Sequence, residues 1–319
     1  MSVSGDFVEF DADSYWTLAK EAIDEISAEF PIYALAIDTQ CETIIVADEA
    51  GKPLRKAIVW LDNRAAKEAE EIKAHFGEKR VYEVTGQPEI TATWPAAKLL
   101  WLKNNEPETF KKIKKVFLLE DYLLYKLTGR FITEPTLQSS TIYFDIHNKI
   151  WWDKMLGFVG VDSGILPEII PCGTLVGEYN GIKVVTGAID QIAGAIGAGI
   201  VKKGVISEMT GTTMVVFVPT DTVPDYNPDS KTPCHINFDG KYCLLAWTPT
   251  AGIALKWFKN NFCENYKFSE LDALAEKVPE GSLGLHSYPI CAALQCRSTI
   301  PMQKAFSAAL RWSIRGDIL

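Results

Sequence analysis

The sequence predicts an α/β fold, and three observations carry that expectation. Short apolar runs alternate with amphipathic stretches of helical period along the chain, the pattern of layered strands and helices. One apolar run, Val184-Val185-Thr186, leads through Gly187 to Asp190 and then into a Gly- and Ala-rich stretch ending at Gly199. This places an acid just past a strand end, where open α/β sheets hold ligands. The third is Val205 to Phe217, which reads as two strands joined at Thr210-Gly211-Thr212. The N–H and hydroxyl groups of such a Gly-Thr hairpin suit a phosphate. Taken singly, Asp190 reads as a helix cap and Gly211 as an ordinary turn. Together and in this order they suit phosphoryl transfer.

The elements follow in order. Phe7–Phe10 precedes a helix from about Ser14 to Glu29, capped by Asp11 or Asp13, with Trp16, Ala19, Ile23 and Ile26 on one face. Ile32–Asp38, Glu42–Asp48 and Lys56–Trp60 read as strands, and Arg64–Phe76 as a charged helix. A short helix over Val81–Gln87 closes at Thr85-Gly86-Gln87-Pro88. Pro95–Asn104 and Pro107–Lys114 are expected helices, each with proline in its first turn. Val116–Leu119 is a strand, Asp121–Leu127 a helix stopped by Thr128-Gly129, Thr141–Asp145 an extended run and Trp151–Phe158 a helix. Cys234–Phe238 and Tyr242–Trp247 flank Asp239-Gly240, a strong hairpin signal. Helices follow at about Gly252–Asn261 and Ser269–Lys277.

Bulk properties narrow the functional classes. The 319 residues are 47% hydrophobic and 23% charged, which suits one large domain or two. A net charge of −9 without a basic stripe argues against nucleic acid as a partner. No apolar run reaches the roughly 20 residues needed to span a bilayer. Met1–Asp6 lacks the basic and apolar parts of a signal peptide. The cysteines at 41, 172, 234, 243, 263, 291 and 296 have no C-x-x-C spacing, so neither a zinc site nor a disulfide framework is indicated. The four histidines form no metal-ligand pattern. A reduced, cytoplasmic protein is the expectation.

Gly187-Ala188-Ile189-Asp190-Gln191 followed by Gly211-Thr212-Thr213 resembles the G-x-x-D-Q and G-T-[GST] motifs of the FGGY family of carbohydrate kinases. Longer segments resemble the same family in the same order. They are Gly51-Lys52-Pro53-Leu54 through Ala57-Ile58-Val59-Trp60-Leu61-Asp62-Asn63-Arg64, then Thr85–Pro88, Ala97–Leu102 and Asp121–Gly129. The resemblance covers roughly Phe7 to Pro289. It implies an actin-like, ribonuclease-H-like fold of two α/β domains, and ATP-dependent phosphorylation of a polyol or ketose hydroxyl with Mg2+. A small sugar or polyol is then the partner, and a homodimer is among the states left open.

On that resemblance Asp190 is the general base, and Gly211, Thr212 and Thr213 grip phosphate. Gln191 positions the substrate or Asp190. On the substrate side, Gln40 and Glu42 lie in Thr39-Gln40-Cys41-Glu42-Thr43, which resembles the glycerol kinase N-Q-R-E-T with Cys41 in place of the arginine. Trp60 is one aromatic wall of the sugar pocket and Trp94 a second. Without the resemblance, Trp60 reads equally as a core aromatic, Glu42 as a solvated strand end, and Asp62 with Arg64 as a local ion pair worth little. No metal ligands are assigned.

The same resemblance implies missing parts. The family's opening D-x-G-T strand has no counterpart near Met1, so the first domain is expected to lack its opening strands and to leave Ile32–Asp38 with an unpaired edge. Residues 1–200 correspond to the sugar-binding domain and 201–291 to the start of the ATP-binding domain, most of which is absent. Plausible codons for Met302–Gly316 read one base earlier spell a family-like N-A-K-G-V-F, so 292–319 is expected to be an out-of-frame tail. Little or no kinase activity is then expected of this chain, with a non-enzymatic sugar-binding or regulatory remnant as the alternative. An actin-like chaperone or cell-shape ATPase shares the fold class, but Trp60, Thr85–Pro88 and Asp121–Gly129 resemble the sugar-kinase branch.

Overall fold

The structure is a computed structural model of the chain, and it describes residues 1–211, 213–248 and 251–284. The chain divides into two compact units. One comprises Met1–Ser207 and Phe217–Ala246, the other Glu208–Val216 and the described residues from Trp247 onward.

The first unit opens with the hairpin β1 (Ser2–Ser4) and β2 (Phe7–Phe10). Helix α1 (Ala12–Glu29) follows, with the Asp11 carboxylate accepting from Ser14 N at 2.7 Å as its cap. Ala12, Trp16, Ala19 and Ile23 turn inward, whereas Ile26, expected on that face, is 53% exposed. Strand β3 (Ala34–Thr39) comes next, then β4 (Ile44–Ala47) and β5 (Ala57–Ile58). The helices α2 (Ala66–Phe76), α3 (Glu78–Thr85) and α4 (Pro95–Asn105) pack on them. Helix α3 ends where Gly86 takes φ +72°. A Cβ there would also lie 2.0 Å from the Cys234 carbonyl oxygen, so only glycine fits.

The predicted helix Pro107–Lys114 shrinks to α5 (Pro107–Phe110). Lys114 N donates instead to Ala47 O at 2.9 Å, drawing the chain into β6 (Lys115–Leu118) beside β4. Helix α6 (Leu119–Thr128) stops at Gly129, φ +72°. Then come β7 (Ile132–Thr133), the one-turn helix α7 (Pro135–Gln138), the small hairpin β8 (Phe144–Asp145) with β9 (Ile150–Trp151), and α8 (Asp153–Val159). The run predicted over Thr141–Asp145 is cut to two residues because Ile142 adopts φ +56°. Strand β10 (Glu168–Ile169) pairs with β7 in parallel.

Two sheets organise this unit. One is antiparallel with order β1-β2-β5-β4-β6, and its β4 face meets α2, α4 and α8 in an apolar core around Ile44, Leu99 and Leu102. The other has order β11-β12-β3, from β11 (Leu175–Tyr179) and β12 (Ile182–Ile189). Strand β12 runs antiparallel to β11 and parallel to β3, so Val184 pairs with Leu35 and Ala188 with Asp38. Strand β3 is outermost in that sheet, with no strand on its other edge among the described residues. Helix α9 (Asp190–Gly197) continues directly from β12.

Strands β13 (Ser207–Thr210) and β14 (Met214–Thr220) follow as neighbours, then β15 (Cys234–Ile236) pairs antiparallel with β16 (Tyr242–Thr248) across Asp239-Gly240. In the second unit, helices α10 (Gly252–Phe262) and α11 (Phe268–Ala275) follow, then a short 3-10 turn at Ser282–Gly284. The expected tail 292–319 lies outside the described residues. Among the described residues no helix is long and apolar enough to cross a membrane.

Asp62 and Arg64, which read as a local ion pair worth little when the family resemblance is set aside, are both buried. Arg64 Nε meets Asp62 Oδ1 at 2.8 Å and a second guanidinium nitrogen meets Oδ2 at 2.7 Å, while Asp62 also accepts from Val8 N. The guanidinium lies 4.1 Å from the Phe7 ring centre and 4.9 Å from that of Trp101. The sequence pattern hides this because the second carboxylate, Glu9, arrives from β2, 55 residues away.

Three further acids, Glu120, Asp121 and Glu134, are fully buried. Burial pushes the Asp121 carboxyl up to about 8, against the lowering effect of hydrogen bonds from Thr133 and Leu118 N, and the same cause raises Glu120 and Glu134. An unfolded aspartate ionises near pH 4, while the folded group keeps its proton to about 8. Asp121 therefore removes stability as pH rises from about 4 to about 8. Asp121→Asn is expected to flatten that slope, which urea midpoints at pH 5 and pH 8 will show as a smaller loss in the variant than in the wild type.

Candidate active site

The site begins where two parallel strands end together. Strand β3 runs out at Thr39 into the turn Gln40-Cys41-Glu42-Thr43, and β12 runs out at Ile189 into Asp190. Glycine at 187 makes this closeness possible. A Cβ there would sit 1.7 Å from the Ile37 carbonyl oxygen, inside the backbone of the neighbouring strand. Gly187→Ala is thus expected to force β3 and β12 apart and to destabilise by roughly 1–3 kcal/mol or more, read as a lower midpoint in thermal or urea unfolding.

Asp190 is the first residue of α9, and Ile189, not Asp190, occupies the cap position. Its Oδ1 accepts from Gln191 N at 2.8 Å, and its other oxygen takes no hydrogen bond among the described residues. Burial raises its carboxyl to about 6, with the nearby Asp38 charge adding to the shift and the Gln191 N–H opposing it. The end of β12 is held from behind. Ile189 N donates to Thr136 Oγ1 at 2.9 Å, Thr136 Oγ1 donates to Glu134 at 2.7 Å, and Gly187 N donates to Glu120 at 3.1 Å. Gln191 keeps a buried Oε1 with no hydrogen-bond partner among the described residues, an acceptor left open beside the acid.

The turn from β3 collects the other predicted residues through one hydroxyl. Thr43 Oγ1 accepts from Gln40 Nε2 at 3.0 Å and from Trp60 N at 3.3 Å. Glu42, at φ +59°, accepts from Cys41 Sγ at 2.6 Å on its carboxylate, and its carbonyl takes the Lys98 ammonium at 2.7 Å. Burial pushes the Glu42 carboxyl up to about 7; the Cys41 thiol, Lys98 and Ser140 pull it down, and the Asp190 charge adds to the rise. Glu42 and Asp190 are thus within electrostatic reach of each other, with Gln40 and Trp60 alongside. Trp94 is engaged differently. Its indole N–H donates to Glu89 O at 2.7 Å and its ring packs on the core beneath α4. No hydrogen bond or ring contact joins it to Trp60, Glu42 or Asp190 among the described residues.

In the second unit, Gly211 N donates to Thr213 O at 2.8 Å and Gly211 O accepts from Gly252 N at 2.9 Å, so the hairpin tip rests on the start of α10. A Cβ on Gly252 would lie 2.5 Å from the Gly211 oxygen, whereas one on Gly211 would meet nothing nearer than 4.0 Å. Open space at the tip, next to the amino end of an eleven-residue helix, fits a phosphate. Thr212 lies outside the described residues. Among the described residues no group of three or more His, Cys, Asp or Glu side chains is placed to hold a metal ion.

The segment Glu134–Ser140 escaped the motif reading, although it ties the site together. Thr136 holds the end of β12, Ser140 faces Glu42, and Ser139 O and Oγ take Gln87 Nε2 at 2.7 Å and Ile236 N at 3.1 Å. Buried His235 joins this seam, its Nε2 3.1 Å from Gln87 Nε2. Lys98 lies in the family-like segment Ala97–Leu102 but has no role assigned there, and Asp38 only ends a predicted strand, since nothing in the local spacing of either marks a place at the site.

Residues 2–199 match the model of the N-terminal domain of the FGGY family of carbohydrate kinases. The chain belongs to that family. It is 31% identical over 288 residues to the xylulose kinase of Lactococcus lactis, covering 85% of this chain and 57% of that protein. It is likewise 31% identical over 290 residues to the glycerol kinase of Thermococcus gammatolerans, covering 87% of this chain and 58% of that one. The FGGY likeness extends to solved structures. A xylulose kinase from Rhodospirillum rubrum superposes with TM-score 0.83 at 23% identity, over 91% of this chain and 62% of that one. Plasmodium falciparum glycerol kinase with ADP superposes with TM-score 0.77 at 26% identity, over 87% and 60%. The fold is therefore the actin-like, ribonuclease-H-like α/β fold of FGGY kinases. The chain spans about three fifths of the length of these relatives.

Proposed function

We infer that the chain carries the sugar-side half of an ATP-dependent kinase acting on a hydroxyl of a small sugar or polyol, pentulose- or glycerol-like. One observation supports this reading most: two carboxylates, Glu42 and Asp190, stand at the carboxyl ends of adjacent parallel strands, close enough for the Asp190 charge to raise Glu42. That is where α/β sheets bind ligands. On this reading residues 1–200 form the sugar-binding domain and residues from 201 begin the nucleotide-binding one.

Asp190 acts as general base. A hydroxyl is a poor nucleophile at neutral pH, so the free Asp190 oxygen takes its proton as the γ-phosphoryl arrives. Glu42 holds a neighbouring hydroxyl, Gln40 and Gln191 supply further polar contacts, and Trp60 gives an apolar wall for carbon–hydrogen faces. Trp94 serves as a second wall only if its ring leaves the core packing seen here. Gly211, Thr212 and Thr213 hold phosphate oxygens of ATP. Mg2+, if bound with the nucleotide, would supply charge neutralisation at the phosphates, and no side chain of this chain is assigned to it.

The test is calorimetric titration of the purified chain with D-xylulose, D-ribulose and glycerol, together with an ATP-dependent turnover assay on whichever binds. Binding of a small polyol or ketose is the expected result. Turnover alongside it would place phosphoryl transfer within this span, binding without turnover is what the sugar-side half or a non-enzymatic sugar-binding module gives, and no binding of any small polyol or ketose rejects the reading.

A further inference from the structure

Lysine 98 lies on α4, outside every catalytic motif, and is fully buried. Buried lysines are rare unless something pairs them. Its ammonium makes one hydrogen bond among the described residues, to the Glu42 carbonyl oxygen at 2.7 Å. We propose that Lys98 is a positioning residue, which locks the Gln40–Thr43 turn from below so that the Glu42 carboxylate faces Asp190. The proposal rests on the sugar-kinase reading of this site.

The geometry gives the reason. Glu42 stands at φ +59°, in the left-handed region that residues other than glycine adopt at a cost. In that conformation its carbonyl points beneath α4, away from water, where an unpaired acceptor is costly. Lys98 is the donor that meets it. The rest of the turn is tied from other directions: Thr43 N donates to Cys41 O at 2.8 Å, and Gln40 and Trp60 both donate to the Thr43 hydroxyl. Among the described residues, the Lys98 hydrogen bond is the one that holds Glu42 by its own carbonyl. Packing alone does not call for lysine here, because the neighbours Leu99, Leu100 and Leu102 on the same helix fill the core with apolar side chains.

Charge adds to position. The groups acting on Lys98 are Glu42, Asp62 and Cys41, with Arg64 opposing. Asp62 is already engaged by Arg64 and by Val8 N. This leaves Glu42 as the counter-charge for Lys98. The groups acting on Glu42 are Cys41, Lys98, Ser140 and Asp190. Burial lowers the Lys98 ammonium and raises the Glu42 carboxyl, and each charge opposes the shift of the other. Removing the ammonium therefore both frees the turn and lets the Asp190 charge raise Glu42 further.

The experiment compares wild type with Lys98→Met in the ligand-free full chain. The Glu42 carboxyl is followed by carbon-13 NMR against pH, assigned with Glu42→Gln, and polyol affinity and unfolding midpoint are measured alongside. The expected result is a rise of about one pH unit or more in the Glu42 midpoint, with polyol affinity lowered about tenfold or more. An unchanged Glu42 titration overturns the proposal, even where the unfolding midpoint falls, because a merely structural lysine would lower stability without moving Glu42. If Lys98→Met does not fold, Lys98→Gln keeps a donor for the carbonyl without the charge. It should still raise the Glu42 midpoint while losing less affinity, and an unmoved midpoint overturns the proposal there too. Wild type that binds no polyol while Glu42 still responds to Lys98 sinks the sugar-kinase reading and leaves the Lys98–Glu42 coupling standing.

Discussion

On the proposed kinase reading, Asp190→Asn is expected to lower kcat for phosphoryl transfer by about 10²–10⁴-fold, the usual worth of a positioned general base. Sugar affinity should change only a few-fold, because asparagine keeps the size of the side chain and one hydrogen-bonding oxygen. The side chain is already fixed by the Gln191 N–H and by its place on the first turn of α9, so the amide has no reason to swing away. The wild-type pH profile supplies an independent mark. Burial, with the Asp38 charge, holds the Asp190 carboxyl near 6. A base must be ionised to accept a proton, so kcat/KM should fall as pH drops through about 6 and level off above it. Steady-state kinetics on wild type and variant from pH 5 to pH 8 read both effects. An acid limb unchanged in the residual activity of Asp190→Asn would assign the titration to another group.

Arg64→Met should cost about 3–5 kcal/mol, the penalty for leaving a buried carboxylate without its cation. Asp62 receives two side-chain hydrogen bonds from Arg64, and Glu9 Oε1 shares the same guanidinium at 2.7 Å. Arg55 also pairs with Glu9 and reaches Glu106 at 2.7 Å, but it makes no contact with Asp62 among the described residues. Methionine would fill the space between Phe7 and Trp101 without supplying charge. Replacing both partners, as Asp62→Leu with Arg64→Met, should recover part of the loss, since the unpaired charge disappears with its partner. Urea unfolding of the three proteins measures this. A loss under 1 kcal/mol for Arg64→Met would place the pair with solvated surface bridges.

Much of the architecture was legible because it depends on local pattern. The alternation of apolar runs announced β3, β4 and β12, Gly86 and Gly129 announced helix ends, and Asp239-Gly240 announced the β15–β16 turn. Where long-range pairing overrides local preference, the reading failed. Proline at 107 signals a helix start, but β4 claims the chain at Lys114 and leaves only one turn of helix. At the site, Asp190, Gln40, Glu42 and Trp60 were legible as places because they sit at strand ends in recognisable segments. The residues that position them were not. Lys98 and Asp121 fall in family-like segments, but the segments alone do not tell that either is buried, and Glu120 and Glu134 resemble surface acids. Their burial follows from α4, α6 and α7 converging behind the β3–β12 strand ends, which no local spacing encodes.

If Glu42 and Asp190 receive the same sugar, a crystal structure of the chain with the polyol or ketose it binds tightest will show it. Expected there are a ligand hydroxyl within hydrogen-bond distance of the free Asp190 oxygen, a neighbouring hydroxyl on Glu42, and Trp60 against the carbon chain. A ligand bound elsewhere on the chain, with Asp190 and Glu42 facing only water, would rule the shared site out.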